Sequence, residues 1–346
     1  MRASGGAAAL GVGLLALALS LHLAGYDAMA ALSALWQGAF GSWYAITSAT
    51  LVRAVPLIII GLGIALAFRA GAFNIGADGQ FYAGAIAATW VGLHVAARPA
   101  PVAIAAVWVA AALAGMAWVA VPVLLKLRFG VLEVISTLLL NFVAEALVSL
   151  LVQGPLQERQ HIYPQSDSIA EAARLPLLPG SRLHVGFALA LVAALLVWYL
   201  FARTHWGFKL RAVGAGARAA EISGRIDARR ITAVALLGSG ALAGLAGGVE
   251  VSGVSYALFQ NLSPGYGFTA IAVALLARLH PAGVVATGIL FGALEAGAGA
   301  MQRDAGVPAV AVYVVEAGVI FMVLLVDANR RRSAAVTKPQ VVRPPT

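Results

Sequence analysis

Three polar side chains interrupt the otherwise apolar sequence GAFNIGADGQFYAGA. Asn74, Asp78 and Gln80 can form hydrogen bonds, and the same stretch contains four glycines. Irregular backbone is tolerated inside a membrane only where it contacts protein or lines a water-filled cavity. We therefore predict a broken helix near residues 71–80, with these side chains beside a pathway for a polar solute. The alternative is that Asn74 and Asp78 only cap a helix that begins near residue 76, which explains part of the polar set.

A second polar set recurs at every fourth position between residues 131 and 153. Glu133, Thr137, Asn141 and Glu145 are separated by Leu, Val, Ile, Phe and Ala. This spacing places them along one face of a helix. A single buried Asn would be typical of a hydrogen bond between helices, whereas four polar residues in register predict one wall of a polar pathway. Glu133 is close enough to the start of the segment to lie at the membrane interface instead.

The remainder of the chain is strongly apolar. Of its 346 residues, 61% are hydrophobic and 11% are charged, and the mean hydropathy is +0.91. Since a soluble domain carries about 25% charged residues, this composition predicts an all-α integral membrane protein. The roughly ten-residue alternating pattern of a transmembrane β-barrel is absent. The net charge of +9 resides in short loops and the C-terminal tail, which is typical of cytoplasmic segments rather than of nucleic-acid binding.

The apolar segments predict about ten transmembrane helices. An N-terminus in the cytoplasm puts most of the 23 Lys and Arg residues on the cytoplasmic side, together with both termini. Residues 1–30 also fit a cleaved signal peptide, which is the alternative interpretation of the first span. The predicted spans are 7–24, 51–69, 76–96, 101–125, 131–153, 184–203, 231–256, 266–280, 282–301 and 307–327.

We expect a single transmembrane domain over residues 1–330, followed by a basic cytoplasmic tail over residues 331–346. The predicted outer loop, residues 154–183, contains four prolines and is expected to form a packed loop or a short surface helix. The predicted cytoplasmic loop, residues 204–230, carries a helix-forming segment at residues 217–223 that glycines flank on both sides. This segment predicts a docking surface for a partner, although an ordinary positively charged loop would explain the charge alone.

Several kinds of chemistry have no supporting motif. The chain contains no cysteine, which excludes disulfides and thiolate sites. Neither a P-loop nor an HExxH motif occurs, so we predict no bound metal and no ATPase activity of its own. Ser239 lies between two glycines, but no His is placed to activate it, and an intramembrane hydrolase is disfavoured.

Small residues dominate one helical face in the span 231–256. Gly240, Gly244 and Gly248 are spaced four residues apart, which predicts close helix packing. Two acidic residues lie near such faces: Glu250 is a candidate for a gate or for a hydrogen-bond anchor, and Glu295 is a weaker candidate for the pathway.

The motifs in their order resemble the nucleoside-type permeases of ABC importers, within the larger group of sugar and branched-chain amino-acid permeases. The resemblance covers most of residues 50–325 and is specific through the order and spacing of its pieces. The segments that carry it are LVRAVPLIIIGLGIALAFRAGAFNIGADGQFYAGA, VISTLLLNFVAEALVSLLVQGPLQE, GFKLRAVGAGARAAEISGRI, SGALAGLAGGVEVSG, SPGYGFTAIAVALLARLHPAG and MQRDAGVPA.

This resemblance implies a ten-helix, type II-like importer permease in the inner membrane. It further implies a second, often non-identical permease, two ATPase subunits that use ATP, and an external substrate-binding protein. This chain would bind no cofactor itself. Asn74, Asp78 and Gln80 would lie in the family's polar break, and Asn141 would match its Leu-Asn pair. The family commonly has Glu at the position of Asp78, which weakens the case for direct contact with substrate there.

The cytoplasmic segment resembles the family's coupling segment, which fits a groove of the ATPase. The residues that match it are Arg218, Ala219, Ala220, Glu221 and Gly224.

A nucleoside needs hydrogen bonds to its sugar and base edges, and an apolar or aromatic surface against its base. Asn74, Gln80 and Asn141 are candidates for the hydrogen bonds. The candidates for contact with the base are Phe73, Phe81 and Phe142. Two alternatives stay open: the same machinery for simple sugars or nucleobases, and a proton-coupled secondary transporter that uses Asp78, Glu145 or Glu295.

Overall fold

The computed structural model describes Leu15, residues 18–224 and residues 226–308 of the 346-residue chain. Within these ranges the regular secondary structure is helical, and β pairing is limited to two isolated bridges. The chain divides into two compact units, one of Ala39–Ala296 and one of Met1–Gly38 with Gly297–Thr346. Residues 18–23 are helical. The helices after them are α1 Ala28–Phe40, α2 Trp43–Arg69, α3 Ala77–His94, α4 Ala100–Phe129, α5 Glu133–Val152, α6 Gly186–Arg203, α7 His205–Ala215, α8 Ala217–Gly224, α9 Ala228–Ser255, α10 Tyr266–Leu276 and α11 Pro281–Ala305.

Six of these helices, α2, α4, α5, α6, α9 and α11, are long and apolar enough to cross a membrane. The predicted spans 76–96 and 266–280 correspond to α3 and to the shorter α10. Most of the predicted spans 7–24 and 307–327 lies outside the described residues, as does the whole tail. The described residues therefore form an all-helical structure that is consistent with an integral membrane protein, while the count of ten spans remains a prediction.

The N-terminal part of α2 is longer than the sequence predicts. The helix begins at Trp43 instead of residue 51 and passes through a π-helical turn at Ile46–Thr50. Hydroxyl groups make this polar stretch compatible with burial: Thr47 donates to the carbonyl of Trp43 at 2.8 Å, and Thr50 donates to that of Ala39 at 2.8 Å. Because these polar groups bond to backbone, they do not end the helix.

Helix α9 lies at the centre of the larger unit and packs against α2, α3 and α4. Its approach to α4 is so close that a Cβ atom added to Gly244 would lie 2.8 Å from the Cα of Gly115. A Cβ on Gly240 would lie 2.7 Å from the Gly115 carbonyl, and one on Gly248 would lie 2.5 Å from the Cβ of Ala111. The predicted small-residue packing face is confirmed, since nothing larger than hydrogen fits there.

In the smaller unit, α1 packs against the C-terminal end of α11. Leu35, Met301 and Val307 belong to its buried apolar cluster. Gly297 allows the contact, because an added Cβ would lie 2.6 Å from the Leu35 carbonyl.

The predicted outer loop is a packed loop with a single 3₁₀ turn at Glu171–Ala173. Its backbone runs along the segment after α9: the N–H groups of Ser166 and Ile169 donate to the carbonyls of Leu258 and Tyr256, both at 2.8 Å. Glu158 organises its first part, accepting from the Gln165 amide at 2.8 Å and the Tyr163 N–H at 2.9 Å. These hydrogen bonds to its carboxylate lower the pKa of Glu158.

The predicted cytoplasmic loop contains two helices. The segment expected to be helical at residues 217–223 forms α8, which confirms that prediction. A second helix, α7, precedes it and was not predicted. Thr204 caps α7, because its side chain accepts from the N–H of Gly207 at 3.1 Å.

Candidate polar pathway and docking helix

The polar stretch after α2 is a short connection between two helices rather than a single broken helix. Helix α2 ends at Arg69, residues 70–76 form a turn followed by extended backbone, and α3 begins at Ala77. Asp78 and Gln80 therefore lie in the first turn of α3. The predicted break is correct in its position but ends several residues earlier than expected, because helical hydrogen bonds resume from the carbonyl of Gly76.

Asn74 and Gln80 form a reciprocal pair of amide hydrogen bonds inside the protein. The Asn74 Nδ2 atom donates to Gln80 Oε1 at 2.8 Å, and Gln80 Nε2 donates to Asn74 Oδ1 at 2.9 Å. Asn74 also donates to the hydroxyl of Ser239 on α9 at 2.9 Å. All three side chains are buried. The pair thus joins the connection to α9 through Ser239.

Asn141 bonds to the same connection from α5. Its Oδ1 atom accepts from the backbone N–H of Gly79 at 2.8 Å, and its Nδ2 atom donates to the carbonyl of Ile75 at 2.9 Å. One turn earlier, the hydroxyl of Thr137 accepts from the N–H of Ile75 at 3.3 Å. These side chains satisfy backbone groups that the extended connection leaves without helical partners.

Glu133 continues this arrangement at the start of α5. Its carboxylate forms an ion pair with Lys126 at 2.7 Å and accepts from the N–H of Phe73 at 3.5 Å. We call Glu133, Thr137, Asn141 and Glu145 the polar stripe of α5. Three of these four residues therefore bond to residues 73–79. The stripe aligns a backbone segment, and only its last predicted member, Glu145, is exposed.

Asp78 caps a helix, but a different one from its own. Its Oδ1 atom accepts from the hydroxyl of Ser263 at 2.7 Å and from the backbone N–H of Gly267 at 3.0 Å. Ser263 in turn accepts from the N–H of Tyr266 at 2.9 Å. Both acceptors satisfy the N-terminal turn of α10. The capping alternative assigned Asp78 to the helix that begins near residue 76 and is wrong for this residue, because the carboxylate caps α10 rather than α3.

A cavity of about 370 Å³ opens beside Glu145. We call it the Glu145 cavity, and it lies between α3, α5 and the connection from α9 to α10. Four polar lining residues were not identified from the sequence, although Ser149 continues the four-residue spacing of the stripe. The lining residues are Tyr82, Phe142, Glu145, Ala146, Val148, Ser149, Gln260 and Asn261.

The three predicted aromatic contacts occupy different environments. Phe81 is fully buried and packs edge-to-face on Tyr82 and Tyr266, with ring centroids 5.8 Å apart in both pairs. Phe142 lines the Glu145 cavity and is 61% exposed. Phe73 is 52% exposed on the connection, away from that cavity's lining. Of the three aromatic residues predicted to contact the base, Phe142 is thus the one that lies beside polar groups in an open cavity.

Helix α8 presents most of the predicted coupling residues at the surface. The side chains of Arg218, Ala219 and Glu221 are exposed, as is Gly224, whereas Ala220 is buried. Ile222, which was not singled out from the sequence, is 77% exposed. Glu221 also lines a cavity of about 410 Å³ whose other walls come from α4, α7, α9 and the residues Ala70 and Gly71 after α2. An exposed short helix with an apolar residue at its surface can dock into a complementary groove.

Residues 46–325 match the family described as branched-chain amino acid transport system / permease component. The chain is 39% identical over 319 residues to the guanosine ABC transporter permease protein NupP of Bacillus subtilis (strain 168), covering 90% of each protein. It is 38% identical over 292 residues to the glucose ABC transporter permease protein TsgB13 of Haloferax volcanii, covering 81% of this chain and 76% of that protein.

A third relative is the nucleoside ABC transporter permease protein NupB of Lactococcus lactis subsp. cremoris (strain MG1363). The identity is 32% over 311 residues, which cover 86% of this chain and 84% of that protein. No solved structure matches the chain significantly.

Proposed function

Because the chain belongs to the family of branched-chain amino acid transport system permease components, we propose that it is the membrane-spanning permease subunit of an ATP-binding cassette importer for nucleosides. The observation that carries this proposal is the 39% identity to a guanosine permease along 90% of both chains. A match of that extent covers the predicted pathway and the predicted coupling segment alike. The chain would be a transport subunit, and separate ATPase subunits would use ATP.

The position of Glu145 supports a polar pathway along α5. Phe142, three residues before Glu145 on the same face of the helix, is exposed as well. Facing lipid at mid-bilayer would cost a carboxylate about 2.5–3.5 kcal/mol on insertion scales. We propose that this face instead borders a water-filled path, closed on its other side by a second and non-identical permease.

The buried network gives the other polar residues a supporting role in this proposal. Asn74, Gln80, Thr137 and Asn141 hold the connection between α2 and α3, and thereby the start of α3, beside the pathway. Asp78 holds the start of α10 in the same way. A solute would meet these residues only if the network opened during transport.

Helix α8 is proposed to dock the ATPase. Its exposed Glu221 and Ile222 offer a charged and an apolar contact at the end of the molecule where the basic loop residues predict the cytoplasm. The orientation, the inner-membrane location and delivery by an external binding protein belong to this proposal.

Simple sugars are the second candidate substrate. The identity to a glucose permease is 38%, nearly the same as to the guanosine permease. Overall similarity therefore does not discriminate a nucleoside from a hexose, and both present hydroxyl groups to a polar path.

The test is uptake of radiolabelled guanosine and glucose by cells that carry the whole transport locus. We expect the wild-type transporter to take up guanosine. The Glu221→Arg variant should lose both guanosine uptake and co-purification of the ATPase subunits, while the amount of permease in the membrane stays unchanged. Uptake of glucose without guanosine would support the proposal of an importer but would change its assigned substrate to a sugar. Uptake that survives Glu221→Arg but stops when the proton gradient is discharged would establish a secondary transporter instead.

A further inference from the structure

We propose that the Glu145 cavity is the site at which this subunit holds the vicinal diol of a nucleoside's ribose, with the carboxylate of Glu145 as the acceptor of both hydroxyl groups. The inference rests on the proposed function and assigns residues to it. It also adds four lining residues, Tyr82, Ser149, Gln260 and Asn261, that the sequence did not indicate.

The size of the cavity suits a solute of this class. Pockets for small ligands have volumes of about 300–1,000 Å³, and this one measures about 370 Å³. It is open at one side rather than enclosed, which suits a transient binding step more than permanent retention.

The chemistry of the lining is matched to hydroxyl groups. An ionised carboxylate only accepts hydrogen bonds, and its two oxygens can receive donors from two adjacent carbon atoms. A ribose diol supplies those two donors, whereas the deprotonated head group of a fatty acid has none to give at neutral pH. Glu145 therefore selects a donor-rich, uncharged or positively charged solute.

Amide and hydroxyl groups surround this carboxylate. Gln260 donates one amide hydrogen to the hydroxyl of Ser149 at 2.7 Å. A primary amide has a second donor and an acceptor as well, so this bond leaves Gln260 chemically able to contact a solute. Asn261 adjoins it with a φ of +58°, a left-handed conformation that Asn adopts more readily than most residues.

An aromatic surface completes the site. Phe142 lies one turn before Glu145 along α5 and is largely exposed. A purine base has an apolar face that can pack on such a ring while its sugar is held by hydrogen bonds. Phe142 and Glu145 are three residues apart and therefore neighbours on one helical face.

The wall that carries Gln260 and Asn261 is fixed from two directions. The backbone N–H of Ser263 donates to the Tyr82 hydroxyl at 3.3 Å, and that hydroxyl donates to the Ser263 carbonyl at 3.4 Å. The Ser263 side chain donates to Asp78 at 2.7 Å. Asp78 is thus a positioning residue for the cavity, which acts through Ser263 rather than by contact with solute.

The test uses the complete transporter, with its partner permease and ATPases, purified into lipid nanodiscs. Tritiated 8-azidoguanosine is photolysed in its presence, and the labelled peptides of this chain are mapped. We expect label within residues 142–149 or at residues 260–261, competed by guanosine more strongly than by 2′,3′-dideoxyguanosine. Glu145→Gln should remove that preference and reduce labelling roughly tenfold, because a charge-assisted acceptor is lost.

Two further variants separate binding from folding. Gln260→Ala should reduce labelling as well, while Val143→Ala, on the same helix but outside the lining, should label like wild type. Label that maps elsewhere, or a ribose preference that persists in Glu145→Gln, would overturn the assignment while leaving guanosine uptake intact. Absence of label together with uptake of glucose alone would overturn both the nucleoside site and the proposed substrate.

Discussion

The carboxylate of Asp78 accepts a hydrogen bond from the backbone N–H of Gly267 at 3.0 Å, across 189 residues of sequence. Asp78 stands in the first turn of α3, and Gly267 stands in the first turn of α10. The two helix starts lie so close that a Cβ atom on Gly267 would be 3.0 Å from the Asp78 Cα. A carboxylate at the N-terminus of another helix also complements that helix's dipole.

Replacing Asp78 with Ala should destabilise the protein through α10. The change leaves the buried N–H of Gly267 without its acceptor, a loss of about 1–3 kcal/mol. We expect the melting temperature of the purified transporter to fall by roughly 2–6 °C. Fluorescence-detected unfolding in detergent would measure this shift.

The matched variant is Asp78→Asn, which keeps an acceptor oxygen for Gly267. It should retain most of the stability that Asp78→Ala loses, since a neutral cap is nearly as effective as an ionised one. An Asp78→Asn protein as unstable as Asp78→Ala would indicate that the charge, rather than the cap, is what the fold requires.

Asn141→Leu should impair folding rather than only transport. Leu is similar in size but cannot bond to the N–H of Gly79 or the carbonyl of Ile75. The buried N–H of Gly79 would lose its partner at about 1–3 kcal/mol, and the partly buried carbonyl of Ile75 would lose one as well. We expect a lower level of intact protein in the membrane and a lower melting temperature.

Leu139→Ala is the control for that prediction, because it removes an exposed side chain from the same helix. Its stability should remain close to that of wild type. If Asn141→Leu instead abolished uptake with unchanged amount and melting temperature, the residue would act on the solute and not on the connection.

Sequence reasoning located the polar groups of this protein but not their partners. Helical spacing shows that Thr137 and Asn141 share a face of α5, and the structure bears this out, since both contact Ile75. Helical spacing does not show that this face of α5 bonds to backbone, because the segment that the face contacts lies more than 60 residues earlier in the chain. For the same reason, the sequence offered Asp78 only as a cap of the helix near residue 76, whereas its partner Gly267 lies at the start of α10.

Local signals explain the remaining successes and omissions. Glycines on both sides of α8 marked its limits correctly, and Ser149 would have been found by extending the stripe by one more turn. Gln260 and Asn261 carry no periodic signal, because they lie in an irregular connection whose course depends on contacts made by Ser263 and Tyr82. Such a wall of the cavity can be identified only from the folded chain.

Gly244→Leu should prevent α9 from packing in its place. Side-chain atoms at residue 244 would enter the space of Ala111 and Gly115 on α4, where even a Cβ is too close to backbone. Helices that associate through small residues lose that contact when a bulky residue is inserted. We expect little or no folded protein by size-exclusion chromatography of detergent extracts.

Gly216→Ala provides the comparison for Gly244→Leu. The backbone of Gly216 is extended, with a φ of 175°, and an added Cβ would meet only the Cβ of Ala219 at 3.7 Å. This variant should elute like wild type. A Gly244→Leu protein that also eluted normally would show that α4 and α9 can separate without loss of the fold.

The exposed side chain of Ile222 provides a separate test of the proposed docking helix. An apolar residue that is 77% exposed contributes little to the stability of this chain alone, but it would lose water on entering a groove of the ATPase. Ile222→Asp should therefore leave the amount and melting temperature of the permease unchanged while co-purification of the ATPase subunits falls at least about tenfold. Ile222→Leu keeps an apolar side chain of the same size and should retain the complex. If Ile222→Asp still recovers the ATPases at the wild-type ratio, the exposed face of α8 that carries Ile222 lies outside the docking contact.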